Sequence, residues 1–260
     1  MAIDDAEEEA AARSRAPAVA RAATVLRLLA REKAGLGVTE IARRVDLVPS
    51  TCLHVLRALV EEGFVAFDSD KKTYRTGVGL FTLVRDAMTN SDFPTAVQPS
   101  IEHLATEHQV TAVAVELDSR DRMVVMALAR ADSLISLHIN VGSRFPSLIS
   151  ATGRCVAAAS GESKEELRAR FEALRWERAP KFDDWFADVQ RTAKEGVALD
   201  RGNFVRGLTV MSTLLPASPD RAVRGIAAIG LDHHMSERSL QRLRESLVEE
   251  AKATAARLMH

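Results

Sequence analysis

The feature that most constrains the fold is the segment 37–67, in which two short amphipathic helices are separated by a tight break. Apolar residues recur at helical spacing between Val38 and Val45, and Asp46-Leu47-Val48 then interrupts the pattern. Pro49 can open the second helix, because a fixed φ and a missing N–H are both acceptable at the first helical position. The inward stripe of that helix comprises Cys52, Val55, Leu56, Leu59 and Val60. Two interpretations fit this pattern: an ordinary helical hairpin with a solvated polar face, or a helix-turn-helix with a recognition face.

The residues after this helix pair favour the second interpretation, because they predict a β-hairpin. Strands at 64–67 and 73–76 flank a turn at 68–72. A further helix is predicted upstream at 17–33, and its predicted apolar face comprises Val19, Ala22, Ala23, Leu26, Leu29 and Ala30. Three helices closed by a hairpin with a basic tip describe a winged helix-turn-helix, which we place at residues 15–77. The predicted DNA-contacting residues are Thr39, Arg43, Pro49, Ser50, Thr51, Leu53, His54, Arg57, Lys71, Lys72 and Arg75.

Within this set, hydroxyl and basic side chains are expected to hold phosphates, and outward side chains of the second helix are expected to face bases. Phosphate contacts are assigned to Ser50, Thr51, Lys71, Lys72 and Arg75. Base contacts are assigned to Leu53, His54 and Arg57. A methyl group of Leu53 can contact the methyl group of thymine.

The charge distribution permits a polyanionic partner without requiring one. The whole chain has a net charge of −1, yet residues 13–90 carry thirteen Lys/Arg against eight Asp/Glu. A modestly basic folded segment can attract nucleic acid. The acidic residues 1–14 are predicted to be a disordered tail.

Segments that would direct the chain to a membrane or an oxidising compartment are not evident in the sequence. No apolar run approaches the roughly 20 residues that span a bilayer, and the N-terminus lacks the apolar core of a secretory signal. The two cysteines, Cys52 and Cys155, each lie in an apolar or small-residue run, which argues against a disulfide. These features indicate a cytoplasmic protein with no membrane partner.

A linker helix is predicted at 78–89, followed by a domain boundary at 90–94 where Pro94 breaks the chain. We assign residues 78–91 to this linker. Its apolar side chains are Leu80, Phe81, Leu83, Val84 and Met88. They need a partner, and the same helix of a second copy would supply one, so a homodimer is expected.

Residues 92–260 predict a second domain of the α+β class, in which helices flank a sheet and can enclose a small-molecule pocket. Consecutive antiparallel strands are predicted at 110–117, 122–129 and 133–140, and later strands at 208–215 and 224–231. Helices are predicted at 99–108, 150–160, 162–174, 182–195 and 236–258. Gly196 is expected to end the fourth of these helices and Ser236 to cap the last.

Motifs in both halves of the chain point to one family. In the first half they are VARAATVLRLLA, VTEIARRVDL, Ser50-Thr51, LRALVEEGFV and YRTG. In the second half they are VGSRFP at 141–146, SATGR at 150–154, EGVALD at 195–200 and GIAAI at 225–229. Over nearly its whole length the chain resembles the IclR family of bacterial transcriptional regulators. The resemblance implies a winged domain on operator DNA, a C-terminal mixed α/β (GAF/PAS-like) domain for a small organic effector, and a homodimer or dimer of dimers.

The resemblance also implies where the effector binds. The corresponding residues are Leu148, Ser150, Ala151, Thr152, Gly153, Asp200, Val210, Ile229 and Asp232. Ser150 can cap a helix whose small first-turn residues leave the backbone N–H groups open, and such a terminus attracts anions. A carboxylate effector is therefore expected; the alternative is a plain capped helix packed on the sheet.

This chain departs from the family pattern at several of these positions. Gly202 and Asn203 stand where acidic residues are usual, and Val210 stands where a cysteine is frequent. Gly230 and Asp232 stand where two pocket serines are common, and Val197 replaces a tyrosine. A pocket with fewer hydroxyls and an added carboxylate at Asp232 should prefer a ligand other than the family's short oxo-acids, or bind none. His54 stands near a common arginine, so the operator sequence does not carry over.

The alternative function is a metabolic enzyme centred on Cys155 with an accessory helix-turn-helix. It is disfavoured because the run CVAAAS predicts a buried helix. The segment Asp232-His233-His234 invites a metal site, but adjacent histidines on a strand would point to opposite faces and no further ligand completes a set. No glycine-rich phosphate loop occurs. We therefore expect no catalytic residue, no metal and no cofactor.

Overall fold

The computed structural model describes residues 16–89, 92–131, 139–216 and 222–259, with backbone only at 87–89. The chain divides between Asn90 and Ser91 into two compact units. The predicted disordered tail and most of the predicted strand at 133–140 lie outside the described residues, as does the side chain of Met88.

The first unit contains four helices and a two-stranded hairpin among its described residues. They are α1 (Pro17–Arg31), α2 (Val38–Arg44), α3 (Pro49–Glu61), β1 (Val65–Asp68), β2 (Thr73–Thr76) and α4 (Gly79–Thr89). The antiparallel hairpin runs in register from Val65 opposite Thr76 to Asp68 opposite Thr73. Leu36 forms an isolated antiparallel β-bridge with Tyr74, which connects the segment before α2 to the wing. This is the winged helix-turn-helix arrangement that the sequence predicts.

Packing in the first unit follows the predicted apolar stripes, except in α1. Ile41 and Ala42 of α2 meet Cys52, Leu56 and Leu59 of α3 in one buried cluster. In α1 the buried residues are Val25 and Leu29, whereas the predicted core residue Val19 is 68% exposed. Ala30 is also exposed. The centre of the buried stripe therefore lies on Val25 and Leu29, one turn apart, and the prediction for Val19 and Ala30 is wrong.

A junction of three glycines connects the end of α3 to the start of α4. The N–H of Gly79 donates to the Gly63 carbonyl at 3.0 Å, and the N–H of Gly77 donates to the Phe64 carbonyl at 2.8 Å. A Cβ at Gly77 would lie 2.2 Å from the Gly63 oxygen, and one at Gly79 would lie 2.8 Å from it. Both positions therefore require glycine, because the two backbones approach too closely for a side chain.

The described residues of the second unit form a six-stranded antiparallel sheet between two layers of helices. Its helices are α5 (Asp92–His108), α6 (Ser150–Ser160), α7 (Lys164–Glu172), α8 (Phe182–Glu195) and α9 (Glu237–Arg257). Its strands are β3 (Thr111–Leu117), β4 (Arg122–Arg130), β5 (Arg144–Pro146), β6 (Val197–Arg201), β7 (Leu208–Leu214) and β8 (Arg224–Leu231). The strand order is β5-β4-β3-β8-β7-β6. This α+β architecture agrees with the predicted fold class.

The two faces of the sheet carry separate cores because successive residues of a strand point to opposite sides. Met211 and Ala228 pack with α5 and α9 on one face. Val210 and Ile229, one residue away along each strand, pack with α6, α7 and α8 on the other. Two of the candidate effector residues, Val210 and Ile229, therefore lie on the face of the sheet that packs against α6.

Several predicted boundaries hold and others need correction. The bounds of α6, α8 and β8 match the prediction, Gly196 ends α8 at φ 74°, and the Ser236 side chain caps α9 by accepting from the Ser239 N–H. The predicted break at Pro94 is wrong, because α5 begins at Asp92 and Pro94 lies in its first turn, where a missing N–H costs little. β5 and β6 were not predicted as strands. No helix in the described ranges is long and apolar enough to cross a membrane.

Candidate functional site

The outward face of α3 is polar and exposed. Pro49 opens the helix as predicted, and Ser50, His54 and Arg57 are exposed. Thr51 is half-buried. Leu53 is also half-buried and packs partly against the core of the unit, so it lies at the boundary between the inward and outward faces, as the spacing predicts. The helix therefore presents hydroxyl, imidazole and guanidinium groups on one face, the groups that bind phosphates and base edges.

The wing places its basic residues in the open. The Asp68 carboxylate accepts the N–H groups of Asp70 at 3.1 Å and Lys71 at 3.0 Å, and these bonds shape the turn. They also lower the pKa of Asp68, the Lys71 bond most strongly. Lys72 has a φ of 51°, and Lys71, Lys72 and Arg75 are all exposed. All three basic side chains of the wing can thus reach a phosphate backbone.

Two predicted contacts lie on α2. Thr39 is exposed. The Arg43 guanidinium is also exposed but donates twice to Glu40, from Nε at 3.0 Å and Nη2 at 2.7 Å. Hydrogen bonds from Arg43 and Arg44 lower the pKa of Glu40 to about 2, so this carboxylate is ionised at neutral pH. To contact a DNA phosphate, Arg43 would therefore have to break its ion pair with Glu40.

The first turn of α6 differs from the prediction for Ser150. Ile149 is the N-cap, and Ser150 is the first helical residue with φ +64°, in the left-handed region. The Ser150 Oγ is buried and has no hydrogen-bond partner in the described part of the chain, so it does not cap the helix. The first N–H to reach a helical carbonyl is that of Gly153, which donates to Ile149 at 2.9 Å.

Gly153 is required by the close approach of the preceding loop. A Cβ at this position would lie 1.9 Å from the Leu148 carbonyl carbon and 2.1 Å from its oxygen. Leu148 is itself fully buried. The loop thus lies directly over the first turn of α6, which leaves room for glycine alone.

Most of the predicted effector residues are brought together beneath this turn. Leu148, Ala151, Val210 and Ile229 share one buried cluster. Val210 lies opposite both Asp200 and Ile229 in the sheet register. Thr152 Oγ1 donates to Ser212 Oγ at 3.2 Å, and Ser212 donates to the Ile226 carbonyl at 3.0 Å.

Asp232 is not part of this group. It lies on a single turn of 3₁₀ helix, Asp232–His234, and its carboxylate accepts from Thr209 Oγ1 at 2.7 Å. Thr209 alternates with Val210 along β7 and so belongs to the opposite face of the sheet. The expected added carboxylate therefore lies away from the α6 face.

A buried arginine, which the sequence did not single out as a site residue, organises the region. Arg154 Nη1 donates to the Ser150 carbonyl at 3.0 Å and to Asp200 Oδ1 at 3.3 Å. Its Nε donates to Asp188 at 3.2 Å, and its Nη2 donates to Asn203 Oδ1 at 3.2 Å. Burial raises the pKa of Asp200, and Arg154 and the Phe204 N–H oppose that effect. The sequence offered one signal for Arg154, because it is the single charged residue in the run of small residues at 150–160.

Cys155 lacks the environment of a nucleophile. Its Sγ is buried and donates to the Ser212 carbonyl at 3.2 Å, and burial raises the pKa of the thiol to about 12. A reactive cysteine needs an accessible thiolate near neutral pH. The histidines at 233 and 234 lie on a helical turn and not on a strand as predicted, with ring centroids 4.1 Å apart. No group of three or more His, Cys, Asp or Glu within the described ranges could hold a metal ion.

Comparison with known proteins covers both units. A family model described as the IclR helix-turn-helix domain matches residues 18–69, and one described as the bacterial transcriptional regulator IclR C-terminal domain matches residues 85–258. The HTH-type transcriptional regulator Rv1719 of Mycobacterium tuberculosis is 30% identical over 207 residues, which cover 76% of this chain and 76% of that protein.

Solved structures share the fold. An IclR transcriptional regulator from Alicyclobacillus acidocaldarius superposes with a TM-score of 0.80 at 25% identity, covering 94% of this chain and 99% of that one. An IclR homologue from Microbacterium hydrocarbonoxydans, complexed with 4-hydroxybenzoate, superposes with a TM-score of 0.76 at 17% identity, covering 93% and 99%. The resemblance read from the sequence motifs is thereby confirmed.

Proposed function

The chain belongs to the IclR family of bacterial transcriptional regulators, and we propose that it binds operator DNA as a homodimer whose affinity is set by a small organic effector. The observation that carries the proposal is the exposed polar face of α3 beside a wing with three exposed basic side chains. Two such units would place their α3 helices in successive major grooves of a pseudo-palindromic site. The linker helix supports the homodimer, because Phe81, Leu83 and Val84 are all more than half exposed.

Salt dependence tests the DNA proposal. Phosphate contacts release counterions, so log affinity for the fragment upstream of its own gene should fall linearly with log salt. A dimer that contacts about six phosphates should lose about 10³-fold in affinity between 50 and 200 mM salt, measured by fluorescence anisotropy. Arg57→Ala should weaken binding about tenfold or more, because a base contact is worth about 1–3 kcal/mol. Lys72→Ala should reduce the salt slope.

The matched control is Arg238→Ala, which removes an exposed arginine from α9 of the second unit. It should leave the affinity and the salt slope unchanged. A flat salt response in the unmodified protein would refute operator binding through these surfaces.

The effector is proposed to bind between the first turn of α6 and strands β6–β8. Supporting this are the buried group of Leu148, Ala151, Val210 and Ile229, the unpaired Ser150 hydroxyl at the helix N-terminus, and the fold shared with a 4-hydroxybenzoate complex. These side chains have almost no exposed surface, so binding must displace them from one another. A carboxylate is the group expected from the helix terminus alone.

An effector panel tests this site. Carboxylic acids, including 4-hydroxybenzoate, and uncharged organic molecules are added to the protein–DNA complex, and a true effector should change the affinity about 5- to 150-fold. Val210→Ala removes apolar contact and should weaken effector binding about tenfold. Asp232→Asn is the control, because Asp232 lies off this face. If Asp232→Asn abolishes the effector response and Val210→Ala does not, the effector does not bind at the proposed site.

A further inference from the structure

The Ser150 hydroxyl at the first turn of α6 is buried without a hydrogen-bond partner among the described residues. Only 5% of Ser150 is exposed, and its Oγ makes no hydrogen bond to any described residue. The N–H groups of Ser150, Ala151 and Thr152 precede the first intrahelical bond and have no carbonyl within the helix. A buried unpaired polar group is rare in native proteins and calls for a specific cause. A hydroxyl and three N–H groups at one helix end offer several donors to an incoming acceptor.

The backbone at Ser150 supports the same conclusion. Its φ of +64° is uncommon for a residue other than glycine, asparagine or aspartate. Such strained residues concentrate at ligand sites, where the surrounding structure holds them in place. Leu148 packed over Gly153 supplies that restraint here. The unpaired hydroxyl is therefore held in position and is not left there by loose packing.

The charges around this turn are already balanced. Arg154 and Asp200 are the charged residues among those that the structure describes as buried. Every nitrogen of the Arg154 guanidinium is engaged, by Asp188, Asp200, Asn203 and the Ser150 carbonyl. A carboxylate placed at the turn would find no unpaired buried cation there, and it would lie close to the Asp200 carboxylate.

We infer that the effector presents an uncharged hydrogen-bond acceptor, such as an amide, ester or ketone carbonyl, to Ser150 and the first turn of α6. The inference rests on the proposed effector site and revises the carboxylate expected from the helix terminus. Because Arg154 is already paired, a carboxylate at this turn would be a buried charge without a counter-ion, and burying it costs more than burying a carbonyl that accepts the same hydrogen bonds. The apolar body of the ligand would lie against Leu148, Val210 and Ile229.

Matched ligand pairs test the charge of this group. Benzoate and benzamide have the same shape, as do phenylacetate and phenylacetamide, and the acids are ionised at pH 7.5. Binding to the full-length protein is measured by calorimetry, and each amide should bind at least tenfold more tightly than its acid. Tighter binding of the acids, still weakened by Val210→Ala, would overturn the inference and leave the proposed site standing. Absence of binding by every pair would refute both.

Ser150→Gly isolates the hydroxyl, because glycine accepts the positive φ. The unfolding midpoint should stay equal or rise, while affinity for the amides falls about three- to tenfold and any affinity for the acids falls as well, because a carboxylate accepts from the same hydroxyl. Ser160→Gly, at the other end of α6, is the control and should leave both affinities unaltered. Unchanged amide binding in Ser150→Gly would contradict the inference.

Discussion

Gly153→Ala is expected to destabilise the second unit by more than about 3 kcal/mol, or to prevent its folding. The new Cβ would lie 1.9 Å from the Leu148 carbonyl carbon, and the atom it meets is backbone, which cannot rotate aside. The loop before α6 would have to leave the helix, and Leu148 would lose its buried position. Both tryptophans, Trp176 and Trp185, belong to this unit, so tryptophan fluorescence during urea unfolding reports its stability selectively.

Gly161→Ala is the control for this prediction. Gly161 follows the last turn of the same helix with a φ of 71°, and no atom lies within 4 Å of a Cβ built there. Its replacement should cost about 1–2 kcal/mol, from the left-handed backbone alone. If Gly153→Ala costs no more than Gly161→Ala, the loop does not pack against α6 as described.

Arg154→Met is expected to cost about 3–5 kcal/mol, because it leaves the buried Asp200 carboxylate without its counter-ion. The same unfolding experiment measures the effect. Arg201→Met is the control, since Arg201 pairs with Glu237 at 2.7 Å at the surface and such pairs contribute about 0–1 kcal/mol. The double variant Arg154→Met/Asp200→Leu should recover part of the loss, because it removes the unpaired charge as well.

The pH dependence of Arg154→Met has a definite sign. Burial already raises the pKa of Asp200, and removal of Arg154 takes away a group that lowers it. In the folded variant the pKa of Asp200 would therefore be higher than in the unfolded state, where the pKa of an Asp is about 3.9. The stability of the variant should be lowest at neutral pH and should recover as the pH falls toward this unfolded pKa. Loss of stability on acidification relative to the parent would contradict the buried-carboxylate account.

Local signals in the sequence predicted much of the fold. The bounds of α6 and α8 follow from apolar spacing and, at the end of α8, from Gly196 at a left-handed position. Pro94 misled the prediction because proline breaks a helix interior but is tolerated in a first turn. β5 has three residues, too few for a periodic pattern.

The candidate site was predicted less completely, because its parts meet only after the sheet has formed. Arg154 reaches Asp200 and Asn203, which are 46 and 49 residues away, and no local pattern connects them. The φ of Ser150 depends on the loop that packs against Gly153. The sequence therefore could not show that the Ser150 hydroxyl is unpaired. Asp232 was assigned because the resemblance places it where a pocket serine is common, whereas its carboxylate accepts from Thr209 on the other face of the sheet.

The glycine junction between α3 and α4 has a mechanical consequence. Because the N–H of Gly79 is bonded to Gly63 and no side chain fits between them, the start of α4 cannot turn without carrying the end of α3 along. α3 has 13 residues and is therefore about 20 Å long. A rotation of about 10° at this junction would displace the far end of α3, where Pro49 and Ser50 lie, by about 3.5 Å. That distance is comparable to the length of a hydrogen bond, so a rotation of this size would shift α3 out of register with a DNA groove.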